Sequence, residues 1–354
     1  MFFSLTRGEP IFSGRRRHAQ TNPQLAARDG RFELIPASSH PPSHSSSSRI
    51  PALLMDSLNQ PRTSQRARPA RRQLTRTIGD WHLVRRIGEG TCTEVYQARP
   101  ATSTLTETAD YAVKMLKPRA QDNPIAIQQL QREAFISRRV RHPHLASILS
   151  SQTDTRPRFV VMPYVEGVNL ASVLREVGRI VLPQALWFVR QTAEALIALH
   201  QSGWRHGDIK PANLIASANG HTTLVDLGLA RTLTSTRSSS ESFTGSLAYA
   251  CPETFNPHIP FSSGSDVYSL GVTLYELLTG SRPFIDDDPT ELAAAHLTRE
   301  VPDPKLVVPH LPPRVTRLVR RMLAKDPLRR PGLEELVTWL VDLEIDSFSE
   351  RLSA

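Results

Sequence analysis

Two carboxylates and an amide stand close together in the middle of the chain. The run His206-Gly207-Asp208-Ile209-Lys210-Pro211-Ala212-Asn213 holds one carboxylate and the amide, and Asp226 follows after two short predicted strands. Carboxylate and amide oxygens are ligands that Mg²⁺ prefers, and a carboxylate beside a substrate hydroxyl can accept its proton. If these side chains converge in a cleft, they supply what a Mg-nucleotide site requires.

A pair of glycines and a lysine precede these residues. Ile87-Gly88-Glu89-Gly90 lies between two predicted strands, where glycines let a hairpin tip bring backbone N–H groups near phosphate oxygens. An ordinary hairpin turn also fits this segment, whereas a dinucleotide-binding motif would need a following helix. Lys114 lies 26 residues after Gly88 in an apolar strand, and Glu133 follows 19 residues later. Glu133 supplies the partner that a lysine in an apolar strand needs.

The elements around these residues fall into two groups. From Trp81 onward, alternating apolar residues predict successive antiparallel strands, with one helix over 125–140 and a buried strand over 159–162. After residues 163–167, helical patterns dominate, at about 183–203, 264–279, 289–298, 313–324 and 332–344. The sequence therefore predicts an α+β fold with two lobes, and a cleft at their junction is the natural ligand site.

The first part of the chain differs from the rest in composition. Residues 1–80 carry 13 Arg, no Lys and 5 acidic residues, a net charge of +8, while the remaining residues carry only +1. Residues 1–78 are rich in Ser, Pro and Arg, and we predict that this tail is disordered. It could bind an acidic partner, but no stacking motif indicates specific nucleic-acid binding. An organelle transit peptide, or a true start at Met55, are alternatives for this segment.

Membrane and extracellular functions are not indicated by the sequence. No run of 18 or more apolar residues is present, so we predict no membrane span. The two cysteines, Cys92 and Cys251, lie far apart and lack the spacing of a disulfide framework or a zinc site. These features favour a cytoplasmic location.

The order and spacing of the motifs resemble the eukaryotic-type serine/threonine protein kinases over about residues 81–344. The resemblance implies a bilobal fold, with a small antiparallel sheet and one helix in the N-lobe and a larger helical C-lobe. It also implies ATP and Mg²⁺ as cofactors, Ser/Thr residues of proteins as substrates, and autophosphorylation. We accordingly expect a kinase domain over 79–345, divided at about 164/165, and a short C-terminal tail over 346–354.

The resemblance implies a role for each motif residue. Asp208 would be the catalytic base, Lys210 would stabilise charge in the transition state, and Asn213 and Asp226 would bind magnesium. Val165, just past the gatekeeper position at Met162, would offer backbone groups to adenine. The residues implied to contact the nucleotide are Ile87, Gly88, Glu89, Gly90, Val95, Ala112, Lys114, Glu133, Met162 and Val165.

Four further residues are implied to have structural roles. Glu253, in Cys251-Pro252-Glu253, would pair with Arg330, and Asp266 would brace the catalytic loop. His206 is expected to be a structural residue of that loop rather than an acid or base.

Two alternatives to a protein kinase share some of these features. Aminoglycoside and choline phosphotransferases often read His-Gly-Asp at the catalytic loop, but Lys210-Pro211, the 245–253 segment and the run from Asp266 to Gly271 favour a protein kinase. A pseudokinase scaffold would lack the lysine, the base or a metal ligand, and none of these is missing here.

Gly207 occupies a position where many family members have an arginine that pairs with a phosphate on the activation segment. Glycine cannot form this contact, so the sequence predicts an active conformation that does not depend on such phosphates, unless Arg205 or Arg231 replaces the arginine. The segment itself is rich in hydroxyl groups, which belong to Thr232, Thr234, Ser235, Thr236, Ser238, Ser239, Ser240, Ser242 and Thr244.

Overall fold

The computed structural model describes residues 76–104, 107–233 and 245–352. The segment predicted as a disordered tail lies outside the described residues as far as residue 75. Its last three residues, Arg76–Ile78, form strand β1, which pairs antiparallel with the next strand. Ile78 is buried against the outer face of the sheet, so the folded domain begins three residues before the predicted boundary.

A six-stranded antiparallel sheet forms most of the N-lobe, with strand order β1-β2-β3-β4-β6-β5. Side chains alternate between its faces. Val113 and Met115 belong to an apolar cluster on the outer face, whereas Leu116 packs beneath the sheet against the N-lobe helix. The other strands are β2 (Trp81–Glu89), β3 (Thr93–Pro100), β4 (Tyr111–Leu116), β5 (Ser150–Gln152) and β6 (Phe159–Pro163).

The N-lobe helix α1 spans Pro124–Ser137. Its start is fixed by Asn123, whose side chain accepts hydrogen bonds from the backbone N–H groups of Ile125 and Ala126, and by Pro124 at the first helical position. The helix ends at Ser137, three residues before the predicted end. The chain then turns toward Pro143, which cannot continue a helix.

The C-lobe is built from six further helices within the described residues. Helix α4 is its centre, because nearly all of its side chains are buried. A capping box of Ser262 and Ser265 starts α4, and Gly280 ends it in the left-handed conformation at φ 79°. The six helices are α2 (Leu170–Val177), α3 (Leu182–Gln201), α4 (Ser263–Thr279), α5 (Pro289–Thr298), α6 (Pro313–Met322) and α7 (Leu333–Leu352).

The last helix is longer than the sequence pattern predicts. It continues through residues 346–352, which were expected to form part of a C-terminal tail. The helix packs on α3 at Glu344, whose Oε1 atom accepts a 2.9 Å hydrogen bond from Arg190 Nε, and Ser347 within the extension is buried. Among the described residues, no helix combines the length and the apolar character needed to cross a bilayer.

Five short strands lie at the junction of the lobes and position the loops that carry the predicted site residues. They form a three-stranded sheet in the order β10-β9-β7 and a two-stranded sheet of β11 with β8. The segment between β8 and β9 is the predicted catalytic loop. These strands are β7 (Val168–Asn169), β8 (Trp204–Arg205), β9 (Leu214–Ala216), β10 (Thr222–Leu224) and β11 (Arg231–Thr232).

Candidate active site

Lys114 joins the two lobes at the cleft. Its Nζ atom donates a 2.7 Å hydrogen bond to Glu133 Oε2 on α1 and a 2.8 Å hydrogen bond to Asp226 Oδ1 beyond β10. The Lys114 and Glu133 side chains are only 11% and 6% exposed, whereas that of Asp226 is 44% exposed and faces the cleft opening. The glutamate and the aspartate therefore hold the ammonium group at one point between them.

The three charges shift one another's ionisation. Burial alone would lower the pKa of Lys114, but the two carboxylates raise it above its ordinary value. Burial would likewise raise the pKa of Asp226, but the Lys114 ammonium lowers it to about 2. Burial raises the pKa of Glu133, and the neighbouring Asp226 charge adds to this effect. Lys114 and Asp226 are consequently both charged at neutral pH.

The loop after β8 carries the second group of polar side chains. Lys210 Nζ donates a 2.6 Å hydrogen bond to Asp208 Oδ2. Asn213 Nδ2 donates to the same Oδ2 atom at 3.0 Å and to the Asp208 backbone carbonyl at 2.8 Å. Lys210 Nζ also donates to Ser246 Oγ at 2.7 Å. Asp208 is thus fixed by two donors from its own loop.

Asp266, at the start of α4, binds the backbone of this loop. Its Oδ2 atom accepts the backbone N–H of His206 at 2.7 Å, and its Oδ1 atom accepts that of Gly207 at 2.9 Å. His200 Nε2 lies 2.8 Å from the same carboxylate. His206 is fully buried, which lowers its pKa, and it contacts the Val225 carbonyl at 3.2 Å. These contacts give Asp266 and His206 structural positions.

The glycine-containing segment forms the tip of the β2–β3 hairpin. Gly90 N–H donates to the Thr93 carbonyl at 2.8 Å, and a Cβ atom at Gly90 would lie 2.9 Å from Thr93 Oγ1, so a larger residue would require the Thr93 side chain to shift. Gly88 pairs with Val95, and Ile87 falls at a bulge in the ladder. The Glu89 carboxylate contacts Lys117 Nζ at 2.7 Å, which fastens the hairpin to the end of β4.

The other predicted nucleotide contacts share one face of the sheet. Residues directly opposite each other in a ladder point to the same side, and Val95 pairs with Lys114 while Ala112 pairs with Met162. Val165 lies in the connection between β6 and β7. Neither its backbone N–H nor its carbonyl has a hydrogen-bond partner among the described residues. This connection therefore offers free backbone groups beside the apolar face of the sheet.

The donor set at the mouth of the cleft fits a magnesium ion. Because Asn213 donates through Nδ2, its Oδ1 oxygen is left without a partner among the described residues. Asp226 Oδ1 accepts the hydrogen bond from Lys114, and its Oδ2 atom has no hydrogen-bond partner among the described residues. One amide oxygen and one carboxylate oxygen, with room for phosphate and water, are what Mg²⁺ takes at nucleotide sites.

The sequence did not reveal several contacts that build this site. Lys114 and Asp226 are 112 residues apart, and Lys210 and Ser246 are 36 residues apart. No local sequence pattern predicts either contact. Arg132 Nη1 donates a 2.9 Å hydrogen bond from α1 to the Gly228 carbonyl, which ties the helix to the turn that carries Asp226. Only the order of the motifs along the chain indicated that the site residues lie close together.

A buried ion pair stabilises the segment beyond the cleft. Arg330 Nη1 and Nη2 contact the Glu253 carboxylate at 2.6 and 2.9 Å, and both side chains are fully buried. Ser265 donates to the same carboxylate at 3.0 Å. This contact places the Cys251-Pro252-Glu253 segment against the start of α4.

Comparison with known proteins identifies the family. A sequence profile described as "Protein kinase domain" matches residues 81–339. Serine/threonine-protein kinase PknH of Mycobacterium bovis is 32% identical over 252 residues, covering 71% of this chain and 41% of the relative. PknE of Mycobacterium tuberculosis is 34% identical over 252 residues (71% and 43%), and PknD is 32% identical over 264 residues (73% and 38%).

The chain belongs to the protein kinase family, within the eukaryotic-type serine/threonine group to which its motifs were assigned. The family and the bilobal α+β fold predicted from the sequence are both confirmed. The chain spans about two fifths of the length of the relatives it matches.

Proposed function

We propose that this domain transfers the γ-phosphoryl group of ATP to Ser or Thr hydroxyls of proteins, including its own. The observation that carries the proposal is the convergence of Lys114, Asp208, Asn213 and Asp226 at one cleft, with free backbone groups at Val165 beside it. Cation, base and oxygen ligands are the parts that phosphoryl transfer needs.

In this proposal, the sheet and the hairpin bind and orient the nucleotide. Val165 offers backbone groups to the adenine edge, between the apolar surfaces of Ala112, Val95, Ile87 and Met162. The backbone of Gly88, Glu89 and Gly90 covers the phosphates, while Lys114, positioned by Glu133, contacts them with its ammonium group. Asn213 and Asp226 would hold Mg²⁺, which supplies positive charge beside the phosphate oxygens.

The loop residues act on the protein substrate. Asp208 orients the Ser or Thr hydroxyl and accepts its proton through a carboxylate oxygen. Lys210, which lies 2.6 Å from Asp208, places a positive charge where the transferred group becomes negative. A turnover of roughly 1 to 100 per second is expected for such a site.

The small-molecule phosphotransferase alternative is not favoured. Ser246 lies in the 245–253 segment, which resembles the peptide-docking segment of protein kinases, and its contact with Lys210 connects that segment to the loop that carries the base. A pseudokinase is disfavoured because Lys114, Glu133, Asp208, Asn213 and Asp226 are all present and the first two form an ion pair.

The test uses purified full-length protein, radiolabelled ATP, Mg²⁺ and generic basic proteins. Lys114→Met, Asp208→Ala and Asp226→Asn should each abolish labelling, because each removes one part of the site. Lys305→Met, in the short turn between α5 and α6, is the matched control and should retain activity. Label on an aminoglycoside or on choline, but on no protein, would contradict the proposal and favour the alternative.

We also propose that the basic N-terminal segment binds an acidic partner. The support is its net charge of +8 against +1 for the rest of the chain. Binding of the full chain to polyglutamate should weaken as salt rises, because screening shortens the range of charge attraction. Deletion of residues 1–75 should remove this binding; binding that persists would contradict it. The cytoplasmic location stays a prediction from cysteine usage.

A further inference from the structure

A pocket of about 840 Å³ borders the end of α1 and the loop that follows this helix. Its walls come from the end of α1, from residues 141–149, from the connection between β6 and β7, and from β10. Within the described residues, Val165 is the only lining residue that also belongs to the predicted nucleotide contacts. Small-molecule sites commonly enclose about 300 to 1,000 Å³. The pocket is therefore large enough for a small molecule and is built from other residues than the cleft.

The loop after α1 gives the pocket apolar walls. Leu145 and Ile148 are buried, whereas Leu149 is 54% exposed. Backbone contacts fix this loop at both ends, because Leu145 forms a parallel bridge with Leu224 and Leu149 N–H donates to the Val161 carbonyl at 2.8 Å. An apolar group that covered the exposed leucine would gain from removing its surface from water. The walls therefore favour a ligand with an apolar body.

Polar groups without partners line the same pocket. Ser137 and Thr223 are only 3% and 6% exposed, yet neither hydroxyl has a hydrogen-bond partner among the described residues. The backbone N–H groups of Ser147 and Ile148 also have no partner in that part of the chain. Polar groups at buried positions are nearly always paired. Hydroxyl and amide groups can all donate, so these four groups suit a molecule that brings oxygen acceptors.

The charged side chains that line the pocket are arginines. Arg138 Nη2 donates to Ser151 Oγ at 2.9 Å, but neither Arg138 nor Arg141 forms an ion pair within the described residues. Burial lowers the pKa of His142, so this neighbouring imidazole is neutral at pH 7. No Asp or Glu lines the pocket in the described part of the chain. The rim is therefore positively charged and complements an anion.

Charge and shape together restrict the occupant. Residues 1–80 carry a net charge of +8, so the two arginines would repel the N-terminal segment of this chain. An inorganic anion would leave the apolar walls and Leu149 uncovered. A neutral apolar molecule would leave the arginines and the unpaired hydroxyls without partners. An organic anion with an aromatic or aliphatic body satisfies both parts of the pocket.

We propose that this pocket binds a small organic anion, whose charged end pairs with Arg138 and Arg141 while its apolar body lies against Leu145, Ile148 and Leu149. Guanidinium groups bind carboxylate oxygens through paired, charge-assisted hydrogen bonds. The site lies outside the proposed phosphoryl-transfer machinery, and binding to it requires no kinase activity. It is therefore independent of the proposed function.

The first experiment measures the binding of a matched pair of probes to the full-length protein by isothermal titration calorimetry. 1-Naphthaleneacetate carries the charge, and 1-naphthaleneacetamide has nearly the same shape without it. The acetate should bind about tenfold more tightly than the amide, because its hydrogen bonds to arginine are charge-assisted. Inorganic phosphate should bind more weakly than the acetate. Equal affinities for the acetate and the amide would overturn the proposal.

The second experiment assigns the charge preference to the rim. Arg138→Met and Arg141→Met should each reduce the preference for the acetate, and the double variant should abolish it without changing the affinity for the amide. Arg299→Met, at an exposed position just after α5, is the matched control and should keep the full preference. Ser137→Leu fills the pocket and should remove binding of both probes. Both rim arginines are exposed, so their variants decide the question even if Ser137→Leu does not fold. A preference that persists in the double variant would overturn the proposal.

The third experiment locates the probe on the chain. Benzophenone-4-carboxylate is a photoreactive anion of the same class, and after irradiation mass spectrometry should find the label on residues 137–149, 163–165 or 223. A non-hydrolysable ATP analogue with Mg²⁺ should not reduce the labelling, because only Val165 is shared with the predicted nucleotide contacts. The inactive Asp208→Asn chain should be labelled equally, which separates this inference from the proposed function.

Three results of the labelling experiment would overturn the proposal. The first is label confined to residues 1–75, which would mean that the basic N-terminal segment binds the anion. The second is loss of label when the ATP analogue is added, which would place the probe in the cleft. The third is a dimer, detected by light scattering, that the probe dissociates and that Arg141→Met cannot form, which would make a second copy of the chain the occupant.

Discussion

Lys210 Nζ lies 2.7 Å from Ser246 Oγ, so the loop that carries Asp208 is bonded to the segment that leads to Cys251-Pro252-Glu253. The two residues are 36 positions apart in sequence and belong to different loops. The same ammonium group binds Asp208 Oδ2 at 2.6 Å. One serine hydroxyl therefore helps to set the position of the cation beside the proposed base.

Ser246→Ala should lower kcat/KM for a peptide substrate about tenfold, or about 1.4 kcal/mol of transition-state stabilisation, because it removes a hydrogen bond to a charged group. Ser246→Thr keeps the hydroxyl and should retain most of the activity. The measurement is steady-state kinetics on one peptide with all three proteins. Equal losses in the alanine and threonine variants would mean that the contact does not position Lys210.

Removing the cation of the buried Glu253–Arg330 pair should destabilise the C-lobe strongly. Arg330→Met leaves the fully buried Glu253 carboxylate unpaired, and such a loss costs about 3 to 5 kcal/mol. Urea unfolding monitored by tryptophan fluorescence measures the free energy of unfolding. Arg329→Met, at the exposed adjacent position, is the control and should change that free energy by less than about 0.5 kcal/mol.

Gly207 and Gly178 provide a matched pair for separating backbone strain from steric contact. Both have φ +78°, but a Cβ atom meets nothing within 4 Å at Gly178, whereas at Gly207 it meets Leu229 and Arg205. Gly178→Ala should cost about 1 to 3 kcal/mol of unfolding free energy from strain alone, because Gly178 combines its positive φ with ψ −46°, a conformation that other residues rarely adopt. Gly207→Ala should cost more and should also lower kcat/KM, because it displaces Arg205 and the backbone beside Asp208. Equal costs for the two variants would show that the contacts at Gly207 relax freely.

Asp266 should make the domain sensitive to acid. Burial alone would raise its pKa, but the hydrogen bond and charge of His200, together with the loop N–H groups, lower it to about 2. Since the folded-state pKa lies below the unfolded value of about 3.9, Asp266 contributes stability above pH 4, and this contribution is lost as the pH falls from 4 toward 2. The contribution is about 2 kcal/mol.

The measurement is the free energy of unfolding from pH 7 to pH 3 for the unsubstituted protein and for Asp266→Asn. The difference between them should be constant above pH 5 and should narrow below pH 4. Asp342→Asn is the control, because Asp342 is half exposed and lies 4.0 Å from Arg314; it should produce no such narrowing. A difference that stays constant down to pH 3 would contradict the prediction.

The sequence predicted the parts of this domain that depend on local patterns. Apolar runs located β4 and β6, and the helical spacing of apolar residues over 125–140 located α1. It did not predict β1, because three residues carry too little pattern and are held by pairing with β2. It ended α7 at residue 344, whereas the helix continues to Leu352 and buries Ser347 within the extension.

At the site, the order of the motifs indicated which residues lie close together, but it did not indicate which atoms form the contacts. Lys114 was expected to pair with Glu133, and its second bond to Asp226 arises only when the two lobes are brought together. The sequence pointed to Arg205 and Arg231 equally as cations near Gly207, and only the structure shows that the Arg205 side chain folds back over this glycine. Such contacts depend on three-dimensional packing between short elements, for which a single sequence holds no periodic signal.

The bridge made by Lys114 has a consequence for how ligands enter the cleft. One ammonium group stands between two carboxylates, so this trio carries a net charge of −1 before anything binds. A bare polyanion approaching the cleft meets repulsion and must draw Lys114 away from Asp226, whereas an anion that arrives with its own divalent cation gives Asp226 a new partner. We therefore expect the resting charges of the cleft to favour a phosphate that arrives with a divalent cation over the same phosphate alone.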